Sequence, residues 1–312
     1  MGVAGDNPLR GSIGLTGTDC SGLQPRGAAS IMRGAELRRN VEGTHRTMAH
    51  ILAIANQKGG VGKTTTAINL AACLGAAERR SLLVDLDPQA NSTSGVGIDP
   101  AECSYGVYDM LLGEVESAQA VVPDVVDGVD VLPSSRALVG AEIELVPVTE
   151  REKRLRTALL PLAEAYDFVV IDCPPSLGLL TINALTAAHA VIVPLQCEYY
   201  ALEGLGRLLQ VVKLVRQQLN PSLAIEGVLL TMYDHRTLLG RRVVDEARRY
   251  FGATVFHTVI PRNIKLGEAP SHGKPIIHYD ISCRGAEAYL QFTQELLSSG
   301  TRSVGQRVGS TP

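Results

Sequence analysis

The sequence predicts an α/β fold: a mostly parallel, twisted sheet flanked by helices on both faces. Three observations point to it. From His50 onward, apolar runs of strand length alternate with stretches of helical periodicity, the pattern of strand, crossover helix and parallel strand. Runs such as "FVVID" and "AVIVPL" are apolar at successive positions, as strands covered on both faces must be. Aromatic residues make up 4% of the chain and Trp is absent, which favours Ala, Val and Leu packing of helices on a sheet.

The elements follow in chain order. Residues 1–48 hold nine glycines and scattered charge, with a short helical pattern near 31–41. They carry too little apolar surface to offset the entropy of ordering and are expected to form a disordered N-terminal extension. Met48, directly before the strand "HILAIAN", is a candidate start of translation. The expected strands are 51–56, 81–86, 129–132, 167–172, 189–195, 224–232 and 254–260. Helices are expected near 63–76, 104–112, 136–146, 150–165, 178–187, 202–219, 237–251 and 285–298. One domain over 49–298 accounts for all of them, and residues 299–312 read as a flexible polar C-terminal tail.

Composition narrows the function classes. A net charge of −3 gives no global attraction to nucleic acid or anionic lipid, so such binding needs a local patch. The six cysteines (20, 73, 103, 173, 197 and 283) form no C-x-x-C pair, which argues against zinc and a disulfide framework and for reduced thiols. No run approaches the ~18 apolar residues of a membrane span, and residues 1–30 lack the apolar core of a signal peptide. The expected location is the cytoplasm.

The stretch "NQKGGVGKTTT", residues 56–66, follows a strand and opens a helix, the setting of a phosphate-binding loop in a P-loop NTPase. It departs from the usual spacing, because Gln57 stands where the first glycine belongs and a second cation, Lys58, precedes the glycines. Gly59, Gly60 and Gly62, with Val61 between, let backbone N–H groups turn toward an anion, and the helix N-terminus adds donors and the positive dipole end. Lys63 would reach the β- and γ-phosphates of ATP, Thr64 would ligate Mg²⁺ and Thr65 would contact the α-phosphate. Two acidic strand ends fit the same site. "VVIDCPP" leaves Asp172 at the end of an apolar strand, where a carboxylate needs a cation or donors, and a water-mediated Mg²⁺ role suits it. "LLVDLDPQ" ends another strand with Asp85 and Asp87, two apart, so both side chains are expected on the same face. One of them would hold the Mg²⁺ shell and the other would orient the attacking water.

Taken together, "KGGVGKTTT", "LLVDLDPQANSTSGVG", "VVIDCPPSLG" and "TVIPRNIKLGEAPSHGKPI" resemble the ParA/Soj partition ATPases, deviant Walker A P-loop proteins related to MinD, over about residues 49–298. The resemblance implies a role for Lys58: it would cross to the γ-phosphate held by a second subunit of an ATP-bound homodimer, tying dimerisation to ATP. It also implies that Asp87 positions water, that Asp172 is the Walker B residue beside Asp85 and Thr64 at the metal, and that Met232, Pro261 and Asn263 frame the adenine. Slow ATP hydrolysis would be stimulated by a ParB-like partner.

Between residues 236 and 265 stand seven cations (Arg236, Arg241, Arg242, Arg248, Arg249, Arg262 and Lys265) against Asp245 and Glu246. Such a patch suits sequence-independent, salt-sensitive contact with DNA phosphates. The family resemblance selects Arg236 and Lys265 for binding nonspecific double-stranded DNA, with Arg241 and Arg242 beside them, and implies a nucleoid-associated protein. No helix-turn-helix pair is evident. A MinD-like ATPase that positions a membrane or protein cargo is the alternative, but the end "SSGTRSVGQRVGSTP" has no apolar face to lie on lipid. A tyrosine autokinase would want a C-terminal tyrosine cluster, and no Tyr follows Tyr289; a nitrogenase-like reductase would need cysteines that bridge an iron–sulfur cluster between subunits, and Cys173 beside Asp172 reads instead as a small buried Cys; a glutamine-dependent amidoligase fits the loop alone but gives no reason for the basic patch.

Overall fold

The computed structural model describes residues 48–198 and 201–299, so the expected N-terminal extension and C-terminal tail, the helical pattern near 31–41 and Cys20 lie outside the described residues. The strands are β1 (His50–Ile54), β2 (Ser81–Asp85), β3 (Val122–Val126), β4 (Val129–Leu132), β5 (Phe168–Asp172), β6 (Ala190–Gln196), β7 (Ala224–Tyr233) and β8 (Val255–Pro261). They form one sheet in the order β3-β4-β2-β5-β1-β6-β7-β8, parallel throughout except for β3 against β4.

Successive residues of β1 serve opposite cores. Ile51 and Ala53 pack under one helical layer and Leu52 and Ile54 under the other, which is why the strand is apolar without alternation. The first layer holds α3 (Val107–Leu112), α4 (Leu138–Glu144), α5 (Arg154–Leu159), α6 (Leu179–Ala187), α7 (Ala201–Gln218) and α8 (Leu238–Phe251). The second holds α1 (Lys63–Ala76), α10 (Ile276–Tyr279) and α11 (Arg284–Ser299). Two short helices, α2 (Asn91–Gly95) and α9 (Ile264–Glu268), sit in connections beyond the strand ends.

The structure corrects several boundaries. β3 is absent from the expected strands because "VPDVV" carries Pro123 and Asp124, tolerated only at a sheet edge, and shows no clean alternation. The single helix expected over 150–165 is broken: a 3₁₀ turn at Arg151–Lys153 leads into α5, which ends just before Pro161, a residue with no N–H to continue it. Helices α2 and α9 are only five residues long, too short for periodicity to reveal.

Candidate functional site

The site forms where the carboxyl ends of β1, β5 and β2 lie side by side, with Ile54 opposite Asp172 and Asp172 opposite Asp85. The loop from β1 to α1 is pinned at three points. Asn56 donates to the Pro194 carbonyl at 2.7 Å and accepts from the Lys58 N–H at 3.0 Å, and the Thr231 hydroxyl donates to the Val61 carbonyl at 2.9 Å. Gly60 and Gly62 adopt φ of +71° and +89°, where a side chain is strained. Gly59 does not, and a Cβ at Gly59 or Gly60 would meet only open space. Gly62 caps α1 without a side-chain partner and no acid occupies the first turn, so the helix N-terminus keeps its orphan donors. Lys63 is buried and arches back over the loop, its Nζ donating to the Lys58 carbonyl at 3.2 Å. Burial lowers its pKa against the raising fields of Asp172, Cys173 and Asp87.

The three carboxylates behave differently. Both Asp85 oxygens are engaged: Oδ2 accepts from the Thr93 N–H at 2.8 Å and the Thr93 hydroxyl at 2.7 Å, and Oδ1 accepts from the Asp87 N–H at 3.2 Å. Asp172 Oδ2 accepts from the Ser92 hydroxyl at 2.7 Å, but its Oδ1 is the one buried side-chain oxygen or nitrogen among the described residues without a hydrogen-bond partner. Burial and then the Asp85 charge raise the Asp172 pKa, and the hydroxyls of Ser92 and Thr64 partly offset them. A buried carboxylate with a bare oxygen, beside a lysine and a threonine hydroxyl, is chemically suited to a divalent cation or its water shell. Asp87 lies beyond the end of β2, in a turn where its Oδ1 accepts from the Gln89 N–H at 3.0 Å and its carbonyl accepts from the Ser134 hydroxyl at 2.8 Å. The expectation that Asp85 and Asp87 share a strand face therefore fails, since the strand stops at Asp85 and a hydrogen-bonded turn carries Asp87.

Ser92 and Thr93 were not among the expected site residues. Their signal was the Ser/Thr run after the Asp-Pro turn, which alone did not say which carboxylates it would meet.

Toward the other side of the loop, Lys58 is half-exposed with Nζ 3.9 Å from Glu198 Oε2, and Glu198 also faces Arg262 at 3.4 Å. Met232 and Pro261 belong to the adjacent ends of β7 and β8, where Tyr233 pairs with Pro261. Asn263 caps α9 by accepting from the Lys265 N–H at 2.8 Å. Met232, next to the Thr231 tether, adopts φ of +52°, a conformation that strains a non-glycine residue by about 1–3 kcal/mol and often marks a functional position.

Comparison with known proteins decides the family. The AAA domain profile matches residues 49–225. The sporulation initiation inhibitor protein Soj of Bacillus subtilis is 56% identical over 81% of this chain and 100% of its own length. The chromosome partitioning protein ParA of Myxococcus xanthus is 52% identical over 89% of this chain and 98% of its own. The chain belongs to the ParA/Soj family of P-loop ATPases. Among solved structures, cobyrinic acid a,c-diamide synthase from Mycobacterium smegmatis with bound ADP and magnesium is 41% identical, with a TM-score of 0.72 over 85% of this chain and 100% of that one. The cell division ATPase MinD from Pyrococcus furiosus is 26% identical, with a TM-score of 0.67 over 80% and 99%.

The basic surface of this ParA/Soj chain is less free than its sequence count implies. Arg236 is gripped by Asp234 through two bonds, Nε to Oδ1 at 2.9 Å and Nη2 to Oδ2 at 2.7 Å, and this guanidinium holds the Asp234 carboxyl well below the usual carboxylate range. Lys265 faces Glu268 at 3.5 Å and lies over the Tyr279 ring. Arg241 donates to the His235 carbonyl through Nε and Nη2. Arg242 and Arg249 are exposed on α8, whose opposite face buries Val243, Val244 and Ala247.

Proposed function

We propose that this protein is an ATP-switched partition ATPase: ATP closes a homodimer, the dimer binds double-stranded DNA without sequence preference, and hydrolysis stimulated by a ParB-like partner releases it. The ATPase domain would span 49–298, between an extension at 1–48 and a tail at 299–312, and the protein would act in the cytoplasm on the nucleoid, segregating chromosome or plasmid DNA. The observation that carries the reading is the bare Asp172 oxygen beside the buried Lys63 and Asp87, in a chain 56% identical to Soj.

In this reading the backbone from Gly59 to Gly62, the Lys63 ammonium and the Thr65 hydroxyl hold the phosphates. Thr64 and Asp172, with Asp85 behind, hold Mg²⁺, which when bound supplies positive charge against the developing phosphate charge. Asp87 orients the attacking water. Asp85, already accepting three hydrogen bonds, acts chiefly by fixing the segment that carries Asp87. Met232, Pro261 and Asn263 frame the adenine. Lys58 leaves its weak ion pair with Glu198 to reach the γ-phosphate held by the second subunit, so that dimer closure reads the nucleotide. Arg236, Arg241, Arg242 and Lys265 contact DNA phosphates. Sedimentation velocity tests the switch: a dimer is expected with Mg²⁺ and a slowly hydrolysed ATP analogue and a monomer with ADP. Lys58→Ala is expected to remain monomeric in both, and a dimer indifferent to nucleotide or to Lys58 contradicts the reading.

The 41% identity to cobyrinic acid a,c-diamide synthase favours one other reading, an ATP-dependent amide-forming enzyme. A glutamine-dependent version needs a reactive nucleophile to release ammonia; burial pushes the Cys73 and Cys197 thiols up to about 12 and also raises Cys173, which leaves the half-buried Cys103 and Cys283 as the candidates among the described residues. Glutamine- or ammonia-dependent ATP turnover on a carboxylate substrate would support that reading.

A further inference from the structure

Two polar side chains of α1 cross the apolar interface to the C-terminal helices. The Thr66 hydroxyl meets the Tyr289 hydroxyl of α11 at 3.1 Å. The buried Asn69 spans two backbones: its Nδ2 donates to the Thr65 carbonyl at 2.7 Å and its Oδ1 accepts from the Ile276 N–H at 2.7 Å, partners that fix the orientation of the amide. α10 begins after Pro275, which supplies no side-chain cap, so Asn69 satisfies a buried N–H that its own segment leaves open. One turn on, the Tyr279 hydroxyl donates to Glu268 Oε2 at 3.1 Å. The same oxygen faces Lys265 Nζ at 3.5 Å, with Lys265 over the Tyr279 ring. A contiguous chain of contacts therefore runs from the first turn of the phosphate helix, through Asn69 and the single turn of α10, to a cation of the basic surface.

We infer that Asn69 is a positioning residue of the nucleotide switch: it transmits the setting of α1 to α10, and so fixes whether Tyr279 and Glu268 hold Lys265 or leave it free for a DNA phosphate. The inference rests on the proposed function for the role of Lys265. Lys265 has a second tie, from its N–H to the Asn263 side chain beside the proposed adenine site, but ADP and ATP present the same adenine there. The two nucleotides differ at the phosphates, where α1 begins, and a ligand shifts an equilibrium only through contacts that differ between its states. The Asn69 route starts at that end of the nucleotide and the Asn263 route does not. Thr66 makes a comparable bond from the same helix to α11, which carries none of the seven cations, and so provides a matched control.

The test measures, in the full chain, the affinity for random-sequence duplex DNA with Mg²⁺ and a slowly hydrolysed ATP analogue, divided by the affinity with Mg²⁺ and ADP. Asn69→Ala is expected to keep its affinity for the ATP analogue within about twofold of the parent and to reduce the DNA ratio about tenfold. Tyr279→Phe removes one hydroxyl from a half-buried ring, so it folds as the parent does, and it should reduce the ratio as well. The double variant should fall no further than Asn69→Ala alone, because both substitutions cut one chain. Thr66→Val should lower the thermal midpoint and leave the ratio that of the parent, which separates the switch from the stability of the interface. Amide exchange over residues 274–283 gives a second readout: it should differ between ADP and the analogue in the parent and not in Asn69→Ala. The inference is overturned if Asn69→Ala keeps the ratio of the parent, if Thr66→Val reduces it equally, or if the Asn69 and Tyr279 effects multiply. Failure of the proposed function looks different: the unsubstituted chain would bind DNA alike in both nucleotide states. Exchange over 274–283 then decides alone, since a nucleotide-dependent difference abolished by Asn69→Ala upholds the inference and exchange indifferent to nucleotide or to Asn69 overturns it.

Discussion

The phosphate loop follows β1 and the basic surface begins just after β7, yet the two regions treat charge in opposite ways. In the loop the charges are buried and mutually dependent: Lys63, Asp85, Asp87 and Asp172 feel one another, and one oxygen is left bare for a cation. At the surface the charges are exposed and locally answered, Arg236 by Asp234 and Lys265 by Glu268. A buried charge is informative because it is expensive to leave unpaired. An exposed one, screened and paired within its own turn, says much less.

Substitutions in the two regions should separate accordingly. The largest effect is expected at Lys63→Ala, which would remove the proposed charge-assisted contact to phosphate and should weaken ATP binding about a hundredfold, read by titration with a fluorescent ATP analogue. Unchanged affinity would mean that the buried lysine serves only the fold. Asp87→Ala should keep nucleotide affinity and slow single-turnover hydrolysis by about a hundredfold. Normal hydrolysis there would move the water-positioning role to another residue. Ser92→Ala deprives Asp172 Oδ2 of its partner and should lower unfolding free energy by about 1–3 kcal/mol. It should also shift the Mg²⁺ dependence of nucleotide binding, with Ser92→Thr restoring both.

At the surface, Arg242→Ala should weaken binding to random duplex DNA and reduce the salt slope by about one. Asp234→Ala should strengthen DNA binding by releasing Arg236 and removing a like-charged neighbour of phosphate. If it weakens binding instead, the Asp234 clamp presents Arg236 to DNA and the contrast between the regions narrows.

The smallest effect concerns pH. His50 and His189 stack at 5.6 Å, the Ile51 N–H donates to His189 Nδ1, and burial lowers both imidazoles below their ordinary value, the His50 charge adding to the shift at His189. Groups held neutral in the fold contribute stability that is complete above the unfolded pKa of about 6.5 and is lost as pH falls below it. Denaturant midpoints should therefore decline modestly from neutral to mildly acidic buffer, and less so in His50→Phe/His189→Gln.

Much of the site was legible because local sequence dictates it. The strand, glycines and lysine of 50–66 are contiguous, and a carboxylate ending an apolar strand announces a need for a cation. The remainder depends on partners far away in sequence. Ser92 meets Asp172 across 80 residues and Thr231 tethers Val61 across 170, and no spacing rule reaches that far. The Asp234 clamp lies nearer but is hidden differently: Asp234 stands two residues before the run of cations that begins at Arg236. β3 escaped because an edge strand with Pro123 lacks the buried apolar run that revealed its neighbours.

If nucleotide in the buried cluster governs the exposed surface, binding to random-sequence duplex DNA must follow the nucleotide state. The protein would be titrated without nucleotide, with ADP, and with Mg²⁺ and a slowly hydrolysed ATP analogue, across a salt series. Binding only with the analogue, weakening as salt rises and lost in Lys63→Ala, is the predicted result. DNA binding of equal strength in all three nucleotide states, or none in any while the ATP dimer still forms, would contradict it.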